Sequence, residues 1–155
     1  MDHLPEHLIK KILHVSKEVK HDLFRKGVVV PVKNKDGSIG VGKFRIVKNN
    51  NGCYSIRNFA NDVVVDNINL PQTAAVVANG LALGRFKDNT LINADQNYGY
   101  ALFDEMVHKR AVERSKTKSL EYFEVMMTKC TIARSKKEYY KSDVVKSFQK
   151  LVNLI

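Results

Sequence analysis

Several residue types are absent or scarce in this sequence, and each shortage excludes a class of protein. The 155 residues include no Trp, 3 Pro and 8 Gly, which excludes a collagen-like or linker-like protein. Cys53 and Cys130 lie far apart and match no zinc or redox spacing, so we expect reduced thiols in an intracellular protein, with a disulfide as the open alternative. No apolar run reaches the ~18–20 residues of a membrane span. Residues 1–6 lack the pattern of a signal peptide.

Cations outnumber acids in the chain, which carries a formal net charge of +10, but they are unevenly placed. Residues 1–50 hold 11 Lys and Arg against 5 acids, residues 51–99 hold 3 against 4, and residues 100–155 hold 12 against 7. A neutral middle between two basic ends is typical of proteins that bind nucleic acid or another polyanion. It is also common on the solvated helices of ordinary proteins, so both interpretations stay open. The length predicts a single domain over residues 1–155.

The first segment, residues 1–27, is predicted to be a basic amphipathic helix that ends at Gly27. Its apolar residues recur at helical spacing, as Leu8, Ile12, Val15, Val19 and Leu23. We expect this helix to pack on its own domain, while a membrane surface or an acidic partner is the alternative. His7, His14 and His21 follow one line of the helix about 10 Å apart, too far to share one metal ion, so no metal site is predicted.

Residues 28–68 are predicted to form a small antiparallel β-meander. Three segments alternate or are rich in β-branched residues, namely 43–47, 53–57 and 63–68, and Val28–Val32 is a candidate fourth strand. Asn49–Gly52 indicates a hairpin turn because Asn and Gly tolerate positive φ. One face of the sheet should carry Phe44, Ile46, Tyr54 and Ile56. A sheet this small needs a helix on one face to be stable.

The segment Ile68–Gly84 contains no charged residue, and we predict that residues 69–84 are the central core helix. Asn69 suits the N-cap, Pro71 the first turn and Gly84 the C-terminal cap. The residues predicted to face inward are Leu70, Ala74, Val77, Ala78 and Leu81. Small residues would let the helix lie close to the sheet, which explains why a basic protein keeps a neutral segment.

Residues 90–155 are predicted to form a long helical hairpin, which makes the fold class α+β. Asn93–Gln96 has the form of a capping box, and a break is expected at Ser115–Lys118. The last helix should pack through Leu120, Phe123, Met127 and Cys130, a stripe that continues as Arg134, Lys137 and Lys141. Either the helix breaks near Ser142–Asp143, or these cations leave the hairpin and face solvent or a polyanion.

The same C-terminal helix contains the candidate nucleic-acid-binding residues. Cations interleaved with aromatic rings could hold phosphates and stack bases. The candidates are Arg134, Lys136, Lys137, Tyr140 and Lys141. The alternative is that Tyr139 and Tyr140 close the hairpin core while the lysines are solvated.

Catalytic signatures are missing from the sequence. It contains no P-loop, no dinucleotide-binding glycine pattern, no G-x-S-x-G and no H-E-x-x-H. Asp104 and Glu105 are adjacent, so they point to different faces of a helix. We therefore predict a protein that is not an enzyme, with no catalytic residues and no cofactor.

Two segments carry a family resemblance, DVVVDNINLPQTAAVVANGLALG (residues 62–84) and NADQNYGYALFDEMVHKR (residues 93–110). Their order after the hairpin, over about residues 43–140, resembles small accessory proteins of T-even-like tailed phages of marine bacteria. The resemblance implies a viral, non-enzymatic protein in the host cytoplasm or the virion. Its expected function is contact with a virion protein, a host protein or itself. The alternative function is that of a basic nucleic-acid-binding accessory protein.

Overall fold

The computed structural model describes residues 17–86 and 89–154. Its elements, in chain order, are α1 (Lys17–Lys26), β1 (Val32–Lys33), β2 (Ile39–Val41), β3 (Phe44–Lys48), β4 (Tyr54–Asn58), β5 (Val63–Ile68), α2 (Pro71–Ala82), α3 (Thr90–Arg114), a 3₁₀ turn (Ser115–Thr117) and α4 (Leu120–Asn153). The strands form one antiparallel sheet in sequence order. The predicted α+β class is confirmed.

The predicted meander is confirmed from β3 to β5. Ile46, Tyr54 and Ile56 are buried and Phe44 packs against them half-buried, as predicted for one face of the sheet. The turn between β3 and β4 closes with Asn49 N–H donating to the Cys53 carbonyl at 2.8 Å. Gly52 in that turn has a φ of +84°. The predicted turn is therefore confirmed, and its residues set the register in which Ile46 lies opposite Ile56.

The prediction for the first strand is wrong in detail. Val28–Pro31 is irregular and only Val32 joins a strand, whereas Ile39–Val41, which was not predicted, forms β2. β2 and β3 are joined by Gly42 and Lys43, and Gly42 has a φ of +60°. Positive φ at the first residue of a two-residue loop is typical of a type II′ hairpin and favours glycine. A Cβ at Gly42 would also lie 3.0 Å from the Ala82 Cβ, so α2 packs tightly on this hairpin.

Helix α2 lies between the sheet and the helical hairpin. Its Ala74, Val77 and Ala78 are fully buried in the cluster that includes Ile46 and Ile56. On the other side Leu70, which precedes α2, packs with Ala94 of α3 and Val144 of α4. No residue of α2 is fully exposed, so a charge on this helix would lose much of its hydration, which explains the neutral segment of the sequence.

Two features of α2 differ from the sequence predictions. Leu81 is half-buried rather than buried, and the N-cap position is held by Leu70, which makes no side-chain cap, rather than by Asn69. The C-terminal end is as predicted, since Gly84 has a φ of +68° and its N–H donates to the Leu81 carbonyl. The buried Asn79 of α2 accepts a hydrogen bond from Val29 N–H at 2.8 Å and donates one to the Gly27 carbonyl at 2.9 Å. This amide attaches the chain that follows α1 to the core.

The predicted helical hairpin is confirmed as α3 and α4, including the break between them, whereas the capping box and the packing of Leu120 and Met127 are corrected. Asn93–Gln96 lies inside α3, which begins at Thr90, so these residues are not a capping box. The break falls at Ser115–Thr117, and the Ser119 hydroxyl caps α4 by accepting from Tyr122 N–H. Helix α4 continues through Ser142–Asp143 without a break over 34 residues, or roughly 50 Å. Leu120 and Met127 are exposed, whereas Cys130, Ala133 and Val144 are buried.

Candidate functional site

The buried carboxylate of Asp95, on α3, accepts several hydrogen bonds at the N-terminus of α2. Asp95 of α3 is 2% exposed, and its oxygens accept hydrogen bonds from Asn69 N–H at 2.7 Å, Leu70 N–H at 2.9 Å and the Thr73 hydroxyl at 2.8 Å. The Asn69 side-chain amide donates to the same carboxylate at 3.2 Å. A negative charge at a helix N-terminus is favourable because the first N–H groups have no partner within the helix. We interpret Asp95 as a cap supplied from another helix and not as a catalytic acid.

A second acid, Glu105 of α3, organises the predicted nucleic-acid-binding residues. Its carboxylate oxygens lie 2.6 Å from Lys137 Nζ and 3.4 Å from Arg134 Nε, both on α4. The hydrogen bond from Lys137 holds the pKa of Glu105 below its usual value, and the same bond raises the pKa of Lys137. Arg134 and Lys137 therefore face α3, where the Glu105 carboxylate compensates their positive charge.

The remaining candidate residues of α4 lie in three different environments. Lys136 is exposed, and the half-buried Tyr140 packs edge-to-face on the exposed Tyr139, with ring centroids 5.5 Å apart. Lys141 lines a cavity of about 380 Å³ together with Tyr98 and Gln72. The structure thus brings Arg134 and Lys137 together at Glu105, and Lys141 follows on the same face of α4, whereas Lys136 and Tyr140 lie on another side of the helix. Nucleic-acid binding by these five residues stays a prediction.

The cysteines and histidines provide no assembled reactive centre among the residues described. Both thiols are free, and burial raises the pKa of Cys53, so this thiol stays protonated at neutral pH. His21 is exposed on α1, whereas His7 and His14 lie outside the described residues. Over residues 17–86 and 89–154, no group of three or more His, Cys, Asp and Glu side chains is suited to hold a metal ion.

The surface of α3 that points away from α4 is apolar, and its sequence predicts no function. Tyr100 is 70% exposed and Phe103 65% exposed, and Val107 follows on the same line at i, i+3 and i+7. We call Tyr100, Phe103 and Val107 the α3 stripe. Arg110 and Arg114 continue its line toward the end of the helix, and both are exposed. Large apolar groups in a row on one exposed helix face typically mark an interaction surface.

No family model matches the sequence, no curated protein matches it, and no solved structure matches its fold. Within the part of the chain that the structure describes, no helix has the length and apolar character needed to cross a bilayer.

Proposed function

We propose that this protein is a non-enzymatic accessory or structural protein that acts by binding another protein through the α3 stripe. The observation that supports this most directly is the exposure of Tyr100 and Phe103, two aromatic side chains on one helix face. Aromatic anchors contribute much of the binding energy of protein interfaces because they bury large areas with little loss of conformational entropy. The expected origin in a tailed phage, in the virion or in the host cytoplasm, is part of this proposal and rests on the sequence resemblance.

The residues around the α3 stripe indicate what the partner offers. Arg110 and Arg114 lie in line with the stripe, and neither forms an ion pair with another described residue. A complementary surface would therefore present an apolar ridge that ends in carboxylates. With the two stripes centred on each other, a second copy of α3 laid antiparallel would place Asn97 and Asn93, which carry no charge, opposite Arg110 and Arg114. We therefore assign the contact to a different protein with an acidic edge.

Photocrosslinking from the stripe tests the proposal. A photoreactive phenylalanine analogue replaces Phe103 in one variant and the exposed Glu113, on the same helix but off the stripe, in the matched control. Both proteins are produced in cells that naturally express the chain, irradiated and separated by mass. We expect one discrete heterologous product from position 103 that is missing from position 113. Arg110→Gln combined with Arg114→Gln should reduce its yield and make the remainder less sensitive to salt.

Three outcomes would contradict the proposal. Equal products from positions 103 and 113 would show that capture is unspecific. A product with twice the mass of the chain would assign the stripe to self-association. No product from position 103 would leave the stripe without a partner under these conditions and would count against a protein-binding function.

A further inference from the structure

A groove at one end of the sheet combines exposed aromatic rings with positive charge, and the function proposed above does not use it. It lies between α1, the strands β1 to β3 and the turn that joins β4 to β5, and has a volume of about 620 Å³. Two of its rings are turned to solvent, since Phe59 is 84% exposed and Phe24 52% exposed. Phe44 forms part of the wall. We call this feature the sheet groove.

Among the described residues that line the sheet groove, all charged side chains are cationic. Its described lining includes Lys20, Lys43 and Arg45 and no acid. One carboxylate, Asp36, pairs with Arg45 Nη1 at 3.2 Å from outside the lining. The groove therefore keeps an excess of positive charge after this pairing, which favours an anionic ligand.

Arg45 of the groove lining and Arg57 beside the groove form a pair of like charges in the sheet. Arg45 of β3 lies directly opposite Arg57 of β4, and like charges at opposite positions destabilise a sheet. The turn residue Asn61 accepts hydrogen bonds from both guanidinium groups, through its side-chain oxygen for Arg45 and its backbone carbonyl for Arg57. The same turn carries Phe59. Bound phosphate beside this pair would offset the repulsion between the two guanidinium groups.

We propose that the sheet groove binds single-stranded nucleic acid, with bases stacked on Phe59 and Phe24 and phosphates contacted by Lys43, Arg45 and Arg57. Stacking rings with cations beside them are the combination that binds a single strand without reading its sequence. A duplex keeps its bases stacked inside and offers no ring face to Phe59. An acidic peptide offers charge without bases. The ring exposure therefore favours a single strand over both, and the site differs from the predicted residues of α4.

The absence of Trp from the sequence allows a direct optical test. Phe59→Trp introduces a single indole at the proposed stacking position, and Tyr139→Trp introduces one at an exposed position of α4 as the matched control. Each variant is titrated at low salt with oligo-dT and oligo-U of about 15 nucleotides, near the upper site size of a single-strand-binding module. We expect quenching of the F59W indole and little change for Y139W. The two oligonucleotides distinguish DNA from RNA as the preferred strand.

Variants in the full-length chain then separate stacking from charge. Phe59→Ala should weaken binding by about 5- to 100-fold, the effect of removing one stacking ring. Arg57→Gln should lower the slope of log affinity against log salt by about 0.7, as expected when one phosphate contact to a single strand is lost. Lys129→Gln, at an exposed lysine of α4 outside the predicted nucleic-acid-binding residues, is the control and should leave both quantities unchanged. Circular dichroism on each variant checks that the sheet is intact.

Several results would contradict binding of a single strand in the sheet groove. F59W quenching of the same strength by a duplex or by polyglutamate would show that the groove attracts negative charge without stacking bases. No quenching at low salt, or equal quenching of Y139W, would exclude the groove as the contact. Because the α3 stripe is on another element, none of these outcomes bears on the crosslinking result, and either proposal can fail without the other.

Discussion

The sheet with α2 and the hairpin of α3 with α4 are stabilised in different ways. In the first region, large apolar side chains such as Ile46, Ile56 and Val77 are buried together. In the hairpin, the buried side chains at the interface are small, as with Ala101, Cys130 and Ala133, and the charged pair of Glu105 with Lys137 lies among them. The hairpin therefore depends more on small-residue packing and on charge compensation than the sheet region does.

The apolar side chains of the hairpin show what this difference means for function. Tyr100 and Phe103 are large enough to build a core, but they point away from α4 and stay exposed. The sheet region also exposes large apolar side chains, Phe59 above all, but the hairpin presents them in a row on one helix face. Apolar area that does not stabilise the fold is free to bind a partner, and this is why the proposed protein contact is placed on α3.

The largest expected effect is a charge placed in the sheet region. Val77→Asp would bury a carboxylate among apolar side chains and should lower the free energy of unfolding by about 4 kcal/mol or more. Phe103→Asp in the hairpin should change it by less than about 0.5 kcal/mol because that side chain is exposed. Urea unfolding followed by circular dichroism measures both. If the two variants lost similar stability, the α3 stripe would be part of a core and not a free surface.

Leu81→Asp gives a graded version of the same test. Leu81 was predicted to be buried and is half-buried, so the new carboxylate would keep part of its hydration. We expect a loss between those of the two variants above, about 1–3 kcal/mol. A loss as large as that of Val77→Asp would mean that this end of α2 is covered more completely than its exposure indicates.

The second-largest effect should come from the cap that joins the two regions. Asp95→Asn keeps the size of the side chain but replaces an acceptor oxygen with an N–H₂ group, so N–H donors of Asn69 and Leu70 lose the charged acceptor. We expect a loss of about 2–3 kcal/mol in the free energy of unfolding. Asp104→Asn, an exposed acid nine residues further along α3, is the matched control and should cost little. Equal effects would show that Asp95 is not a specific cap.

The sequence predicted the parts of the fold that are specified locally. The turn at Asn49–Gly52, the end of α2 at Gly84 and the break before α4 each depend on a few neighbouring residues, and each is confirmed. The short strand Ile39–Val41 was missed because three residues are too few to show an alternating pattern. The Asn93–Gln96 pattern was misassigned because Asp95 contacts Asn69, 26 residues away, and not the start of its own helix.

The candidate site was predicted less completely, for the same physical reason. The spacing of Arg134, Lys137 and Lys141 correctly indicates one face of α4, but spacing does not show what lies opposite that face. Glu105 of α3 lies opposite that face of α4. The sequence does not show this contact because the residues are far apart in the chain. The α3 stripe was not predicted, because an apolar helix face indicates burial and its exposure becomes visible only when the position of α4 is known.

A third, smaller effect concerns the charge pair of the hairpin. Glu105→Gln removes the carboxylate that compensates Lys137 and should cost about 1–2 kcal/mol at neutral pH, less than for a fully buried pair. The Glu105 pKa is lowered by the Lys137 hydrogen bond, so its contribution is present above the unfolded-state pKa and is lost as pH falls through the folded value. The stability difference between wild type and E105Q should therefore shrink below about pH 4. Urea unfolding at several pH values measures it, and a difference independent of pH would exclude the ionised carboxylate as its origin.

The smallest effect on stability should come from Lys136→Gln. The same change tests most directly whether α4 binds nucleic acid. This side chain is exposed, so Lys136→Gln should change the free energy of unfolding by less than about 0.5 kcal/mol. If α4 binds nucleic acid through its predicted residues, the same change should lower the salt slope by roughly one unit for a duplex and by about 0.7 for a single strand. If binding occurs in the sheet groove instead, the slope should stay constant for Lys136→Gln and fall for Arg57→Gln. Affinities at two salt concentrations for both variants distinguish these cases, because each variant removes one cation from a different region. A slope lowered by Lys136→Gln alone would place the contact on α4, the helix that the sequence first indicated.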